Sequence, residues 1–100
     1  MDLFLVEYKA REDKVEEVLD LAREFVAGVR SDNDPDVRYR SLRKNDGLSF
    51  VHVAEFKDEA AFKRFQSAPH FKKFSEALPG NCEEGPAAQK VEIVADSAGS

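Results

Sequence analysis

Two segments of this chain, LFLVEYK (3–9) and SFVHVAEF (49–56), alternate with the period of two that marks a β-strand, yet both alternating sets are apolar. Phe4, Val6 and Tyr8 oppose Leu3 and Leu5, while Phe50, Ala54 and Phe56 oppose Val51 and Val53. Successive strand side chains point to opposite sides of a sheet, so a sheet built around these segments has two faces to bury. A chain of 100 residues has material for one core and little beyond it. Its own helices can cover one face; the other needs a different cover.

The remaining segments set the order of elements. Val15, Val18, Leu19, Ala22, Phe25, Val26 and Val29 recur at helical spacing through about residue 30. SDNDPD (31–36) ends that helix, because Asp and Asn bond their own backbone and Pro35 cannot continue it. VRYRSLR (37–43) and the strand at 49–56 flank Asn45-Asp46-Gly47, a hairpin turn that needs positive φ. Asp58 caps a helix through Phe62 and Phe65. Ser67, with Pro69 in the first turn, starts it again through Phe71, Phe74 and Leu78, and Pro79-Gly80 stops it. A loop, NCEEGP, precedes a last strand over QKVEIVA (89–95), and DSAGS (96–100) reads as a disordered polar tail.

Strand, helix, strand, strand, helix, strand predicts an α+β fold. It is the ferredoxin-like βαββαβ arrangement, a four-stranded antiparallel sheet with two main helices on one face, in a single domain over residues 1–95. This topology places the two doubly apolar strands in the middle and the strand carrying Arg38, Arg40 and Arg43 at an edge. Large exposed apolar patches are rare on monomers and two-fold dimers are the commonest assembly, so the cover for the second face is a second copy: a homodimer with sheets facing each other.

Composition excludes several classes. The net charge is −5 and Lys and Arg are dispersed among Asp and Glu, which gives no footprint for nucleic acid. No apolar run is long enough for a membrane span and the start lacks signal-peptide features, so the expectation is a cytoplasmic protein. The one cysteine, Cys82, has no disulfide partner and reads as an unreactive loop thiol. No Cys/His spacing suggests a metal, and no nucleotide fingerprint suggests a flavin or nicotinamide, so no cofactor is expected.

Residues 50 to 74 hold both histidines and six of the eight phenylalanines. His52 shares its strand parity with Phe50, Ala54 and Phe56, and serves either as a satisfied core or interface residue or as the polar group in an apolar pocket wall. His70, just after the helix start at Pro69, suits packing or capping as well as catalysis. Phe62, Phe65, Phe71 and Phe74, at helical spacing, are core residues that double as pocket walls wherever core and pocket coincide. Tyr8 and Tyr39 can each donate a hydrogen bond.

VAEFKDEAAFKRFQSAPHFKKF, in particular Phe56, Asp58, Glu59, Ala60, Ala61, Phe62, Pro69, His70 and Phe71, resembles the strand-to-helix signature of the antibiotic biosynthesis monooxygenase family. The resemblance implies a dimeric α/β barrel and, among the activities of such barrels, oxygenation without a cofactor. At the positions where polyketide-oxidising relatives carry an amide, a strand-end aromatic and a helix tyrosine, this chain has His52, Phe56 and Phe62; that phenol is missing, as is an arginine near Glu76. The heme-degrading branch requires a tryptophan and a histidine where Phe65 and Ser75 stand, which argues against heme degradation. The function so implied is a cofactor-independent monooxygenase of a small phenol or hydroquinone. His52 is its candidate base, His70 a second candidate, and Phe56, Phe62 and Phe65 are substrate walls. The alternative is a non-catalytic dimer that binds a small apolar or aromatic ligand. The resemblance also implies that His52 faces the helices.

Overall fold

The computed structural model describes residues 1–99. In chain order it contains β1 (Asp2–Ala10), α1 (Val15–Asp32), β2 (Val37–Arg43), β3 (Ser49–Phe56), α2 (Glu59–Ser67), α3 (Pro69–Ala77) and β4 (Cys82–Val91), with 3₁₀ turns at Glu12–Lys14 and Pro79–Asn81. The strands form one antiparallel sheet in the order β2-β3-β1-β4, the α+β ferredoxin-like arrangement that the element order predicts.

Register decides which side chains meet. Phe4 lies opposite Ala54, Val6 opposite His52 and Tyr8 opposite Phe50, while on the other side of β3 Tyr39 pairs with Ala54 and Ser41 with His52. Facing residues of an antiparallel pair share a side of the sheet, so all of these project towards the helices. On β3 that set, Phe50, His52, Ala54 and Phe56, is buried, whereas Val51, Val53 and Glu55 on the outer set are half-buried. The helices close the inner face through Val18, Ala22 and Phe25 of α1, Ala61 and Phe65 of α2 and Phe74 of α3. Phe25 stacks on Phe74 with ring centroids 4.7 Å apart, locking α1 to α3. Burying each such ring stabilises the fold by roughly 1.5–3 kcal/mol. α1 and α3 pack closely at Gly28, where a Cβ would sit 2.6 Å from the His70 ring.

Local signals account for most boundaries. Asp58 accepts a hydrogen bond from Ala61 N at 2.9 Å and caps α2, as expected. Asp46 accepts from the amides of Leu48 and Ser49 and from the Ser49 hydroxyl, while Gly47 takes φ +75, which holds the β2–β3 turn.

Four expectations need correction. Ser67 does not cap α3: its hydroxyl donates to Lys63 O at 2.8 Å, and Ala68, extended because a proline follows, occupies the cap position. α1 runs on to Asp32 and ends in left-handed Asn33, inside the segment read as its breaker. The last strand begins at Cys82 and not at residue 89, so NCEEGP is largely strand and residues 92–95 lie beyond it. β4 is an edge strand whose residues 83–90 are all exposed, so it carries no apolar alternation to read; pairing with β1 holds it, and Gly85 (φ +78) lies where a Cβ would come within 2.7 Å of Glu7 O. Cys82 is accordingly a buried core residue and not a loop thiol, and burial raises its thiol pKa. Asp96 accepts from the Ala98 amide in a short turn within the segment read as a disordered tail, and Ser100 lies outside the described residues.

Candidate functional site

His52 is the one fully buried polar side chain among the described residues, and three hydroxyls surround its ring. Tyr39 Oη lies 2.5 Å from Nδ1; Tyr8 Oη and Ser41 Oγ lie 2.7 and 3.0 Å from Nε2. The sheet register creates this cluster. Ser41 is directly opposite His52 on β2, Tyr39 is diagonal to it on the same strand, and Tyr8 is diagonal on β1. Phe74 closes the ring from the helix side, nearly parallel at 22° with centroids 5.5 Å apart.

A neutral imidazole has one N–H and one lone pair, and the cluster satisfies both. Either Tyr39 donates to Nδ1 while Nε2–H donates to the Tyr8 or Ser41 oxygen, or Nδ1–H donates to Tyr39 while a hydroxyl donates to Nε2. Burial pushes the His52 pKa down to about 4, so the ring is neutral at physiological pH. Burial likewise raises the Tyr8 and Tyr39 phenols well above the usual range, with electrostatic contributions from Cys82 on Tyr8 and from Tyr8 on Tyr39. All three groups are uncharged, which lets them share protons in a dry core without an uncompensated charge.

Beside this cluster lies a cavity of about 280 Å³ between sheet and helices, walled by Phe4, Phe56, Phe62, Phe65, Phe71 and Phe74 among others. The polar residues among its walls are Tyr39, Gln66 and Ser75, and the Ser75 hydroxyl is already spent on Phe71 O at 2.7 Å. The expected walls Phe56, Phe62 and Phe65 all line this cavity; Phe62 stacks on Phe4 at 5.2 Å and meets Phe56 edge-on at 5.1 Å. His52 points to the helix side, as expected, but its own ring is not part of the wall; it meets the cavity through two wall residues, Tyr39 by a hydrogen bond and Phe74 by stacking. His70 is elsewhere. It wedges between α1 and α3 against Gly28 and Phe25, with Nε2 3.0 Å from an Asp32 carboxylate oxygen but out of line for a hydrogen bond. The structure therefore brings His52, Phe56, Phe62 and Phe65 into one neighbourhood and leaves His70 out.

Sequence reasoning missed Tyr8, Tyr39 and Ser41 as partners of His52. For Ser41 the hairpin held the signal: with the turn centred between Asp46 and Gly47, counting outwards pairs residue 41 with 52. Among the described residues no group of three or more His, Cys, Asp or Glu side chains is arranged to hold a metal ion, and no helix is long and apolar enough to cross a membrane.

Solved structures share this architecture. Rv0793 from Mycobacterium tuberculosis aligns with TM-score 0.83 at 13% identity, over 96% of this chain and 97% of its own. A crystal structure of an antibiotic biosynthesis monooxygenase gives TM-score 0.82 at 20% identity, over 95% and 100%. PA3566 from Pseudomonas aeruginosa gives 0.78 at 22%, over 94% and 95%. At these identities the likeness establishes the fold. No curated protein matches the sequence. The family model for antibiotic biosynthesis monooxygenase matches residues 3–77, which spans the sheet core and all three helices, and the chain belongs to that family.

Proposed function

We propose that this protein is a cofactor-independent monooxygenase of a small phenol or hydroquinone, with the reaction in the aromatic cavity and proton handling by Tyr39 and His52. One observation carries the reading: Tyr39 lines the cavity while its hydroxyl bonds a neutral, buried imidazole. A cavity of about 280 Å³ falls at the small end of ligand pockets and suits a one- or two-ring aromatic.

The chemistry balances without an added reductant. The substrate hydroxyl gives its proton through Tyr39 to His52 Nδ1, and the electron-rich phenolate donates to dioxygen, forming a carbon–oxygen bond to a peroxide. The ring carbon then loses its hydrogen as the O–O bond breaks. One oxygen stays as the new carbonyl of a quinone, and the other leaves as water with that hydrogen and the proton stored on His52. Moving a proton from a phenol of ordinary pKa, about 10, to an imidazole at about 4 costs about 8 kcal/mol. Attraction between phenolate and imidazolium at ~4 Å in a partly screened site returns about 4 kcal/mol. The remainder makes the imidazolium a short-lived carrier that returns its proton within the same turnover. Phe56, Phe62 and Phe65 keep the site dry, which strengthens that attraction.

The companion proposal concerns assembly. Leu3, Leu5, Val51 and Val53 share the outer side of the sheet and are only half-buried in the single chain. Pairing that face with a second copy as a homodimer buries them and leaves the cavity, on the opposite side, intact.

A second reading has its own support. His52 is absent from the cavity wall and both ring nitrogens are already engaged, which suits a dimer that binds an aromatic ligand and leaves it unchanged. Oxygen uptake with a panel of naphthohydroquinones and phenols decides between them. Uptake that is lost in His52→Phe supports oxygenation; saturable binding with no uptake above the buffer rate supports the binding protein.

A further inference from the structure

His52 lies between two hollows. On one side Tyr39, bonded to Nδ1, lines the aromatic cavity; on the other Ser41, bonded to Nε2, lines a separate trough of about 420 Å³ between α1 and β2. The trough forms because Ser41 is small and faces α1 at the sheet edge. Its floor is apolar, made by Leu19, Ala22 and Val26 of α1 with Phe50 of β3.

Its charged lining is cationic. Arg23 and Arg30 stand two helical turns apart on α1, about 10 Å along the axis, and Arg43 stands across from them on β2. Arg43 is already fixed: Nε and Nη2 both donate to Gly47 O, at 2.9 and 2.8 Å, and the guanidinium lies 6.0 Å from the Phe50 ring centroid. Its acceptor is a neutral carbonyl, so its charge stays uncompensated. Arg23 meets Asp20 only at 4.0 Å with both side chains largely exposed, a pair of little energetic weight. Arg30's guanidinium has no ion-pair partner among the described residues. Three weakly compensated guanidinium groups around an apolar floor stand out on a chain of net charge −5.

We infer that this trough is a second binding site, for a small organic anion with an apolar body: the body lies on Leu19, Val26 and Phe50, and the anionic group lies among Arg23, Arg30 and Arg43. Guanidinium groups offer planar paired donors to carboxylate, sulfonate or phosphate oxygens. Apart from Leu42, which has the parity of the outer face, the trough is lined from the helix side of the sheet, so dimer formation through the outer face leaves its arginines accessible. Ser41 is a wall of the trough and a partner of the imidazole, which places the anion one side chain from His52. The site stands whether or not the aromatic cavity turns over phenols.

Two fluorescent probes with the same aromatic body test it: anilinonaphthalene sulfonate, which is anionic, and phenylnaphthylamine, which is not. In the full-length protein, Arg30→Glu should raise the Kd of the sulfonate at least about 10-fold while leaving the uncharged probe within about twofold. Added salt should weaken only the sulfonate. Ala27→Trp, a change at an exposed helix position beside the floor, should block sulfonate binding while circular dichroism stays native. The proposal is overturned if the sulfonate does not bind the unaltered protein, if Arg30→Glu leaves its Kd within twofold, if both probes weaken equally, or if natively folded Ala27→Trp binds it as before.

Discussion

The two faces of the sheet are built from neighbouring residues and do different work. Ala54 and Val53 are adjacent on β3, yet Ala54 is buried in the cavity wall among aromatic rings while Val53 sits half-exposed on the outer side beside Leu5. The inner face holds its polar chemistry in one satisfied cluster around His52; the outer face sets charges beside its apolar residues, with Arg40 opposite Val53, Glu7 opposite Val51, and Arg38 and Glu55 3.8 Å apart. One strand thus separates a region where a polar atom must be matched from one where it need only be solvated or covered by a second copy.

A charge on each face breaks this comparison most sharply. Ala54→Asp should destabilise the fold by at least about 4 kcal/mol, because the carboxylate enters an apolar wall with no partner, and urea unfolding will read it. Val53→Asp should leave the chain folded, at a cost of about 1–2 kcal/mol, and convert the proposed homodimer to monomer in light scattering. A stable monomer for the unaltered protein at micromolar concentration would remove the outer half of the comparison.

Between pH 6.5 and 4, acid acts on the inner face. His52 has a folded pKa of about 4 against 6.5 for the free side chain. Below 6.5 the unfolded chain therefore binds a proton that the folded chain refuses. Stability from this group is complete above pH 6.5 and falls as pH drops from 6.5 to 4, by about 3 kcal/mol in all. His52→Phe should abolish that slope and lower stability at neutral pH by about 1–3 kcal/mol, since the Tyr8, Tyr39 and Ser41 hydroxyls lose their shared partner, while lowering any oxygenation rate by about 10² to 10⁴. An unchanged slope in the variant would mean that another group carries the acid sensitivity.

Tyr39→Phe separates wall from hydroxyl. The ring still fills its place against Phe25 and Phe65, but Nδ1 loses its partner, so stability should fall by about 1 kcal/mol and turnover by more than ligand affinity. Equal losses in turnover and affinity would make the residue a packing element. The smallest effect belongs to the outer margin: Arg38→Ala should change stability by less than about 0.5 kcal/mol, as surface ion pairs do.

Legibility followed the same division. Strand limits for β2 and β3, the hairpin, the Asp58 cap and the parity that His52 shares with Phe50 and Phe56 follow from local pattern, because alternation and turn chemistry act over a few residues; the side that this parity faces came only from the family resemblance. β4 was misplaced because an edge strand exposed from residue 83 to 90 is held by its partner and carries no pattern of its own. The partners of His52 lie 44, 13 and 11 residues away for Tyr8, Tyr39 and Ser41, so only register brings them together. A one-residue slip of β2 would send both Tyr39 and Ser41 to the other face.

The hydroxyl cluster also makes the molecule its own optical instrument. The chain has no tryptophan and two tyrosines, and both tyrosines bond His52. Tyrosine emission and tyrosine fine structure in near-ultraviolet circular dichroism therefore report from one place, with no background from elsewhere. Titration, ligand entry or a shifted strand should each appear there without a label, and a flat spectrum from an apparently folded preparation should mark a sheet assembled out of register.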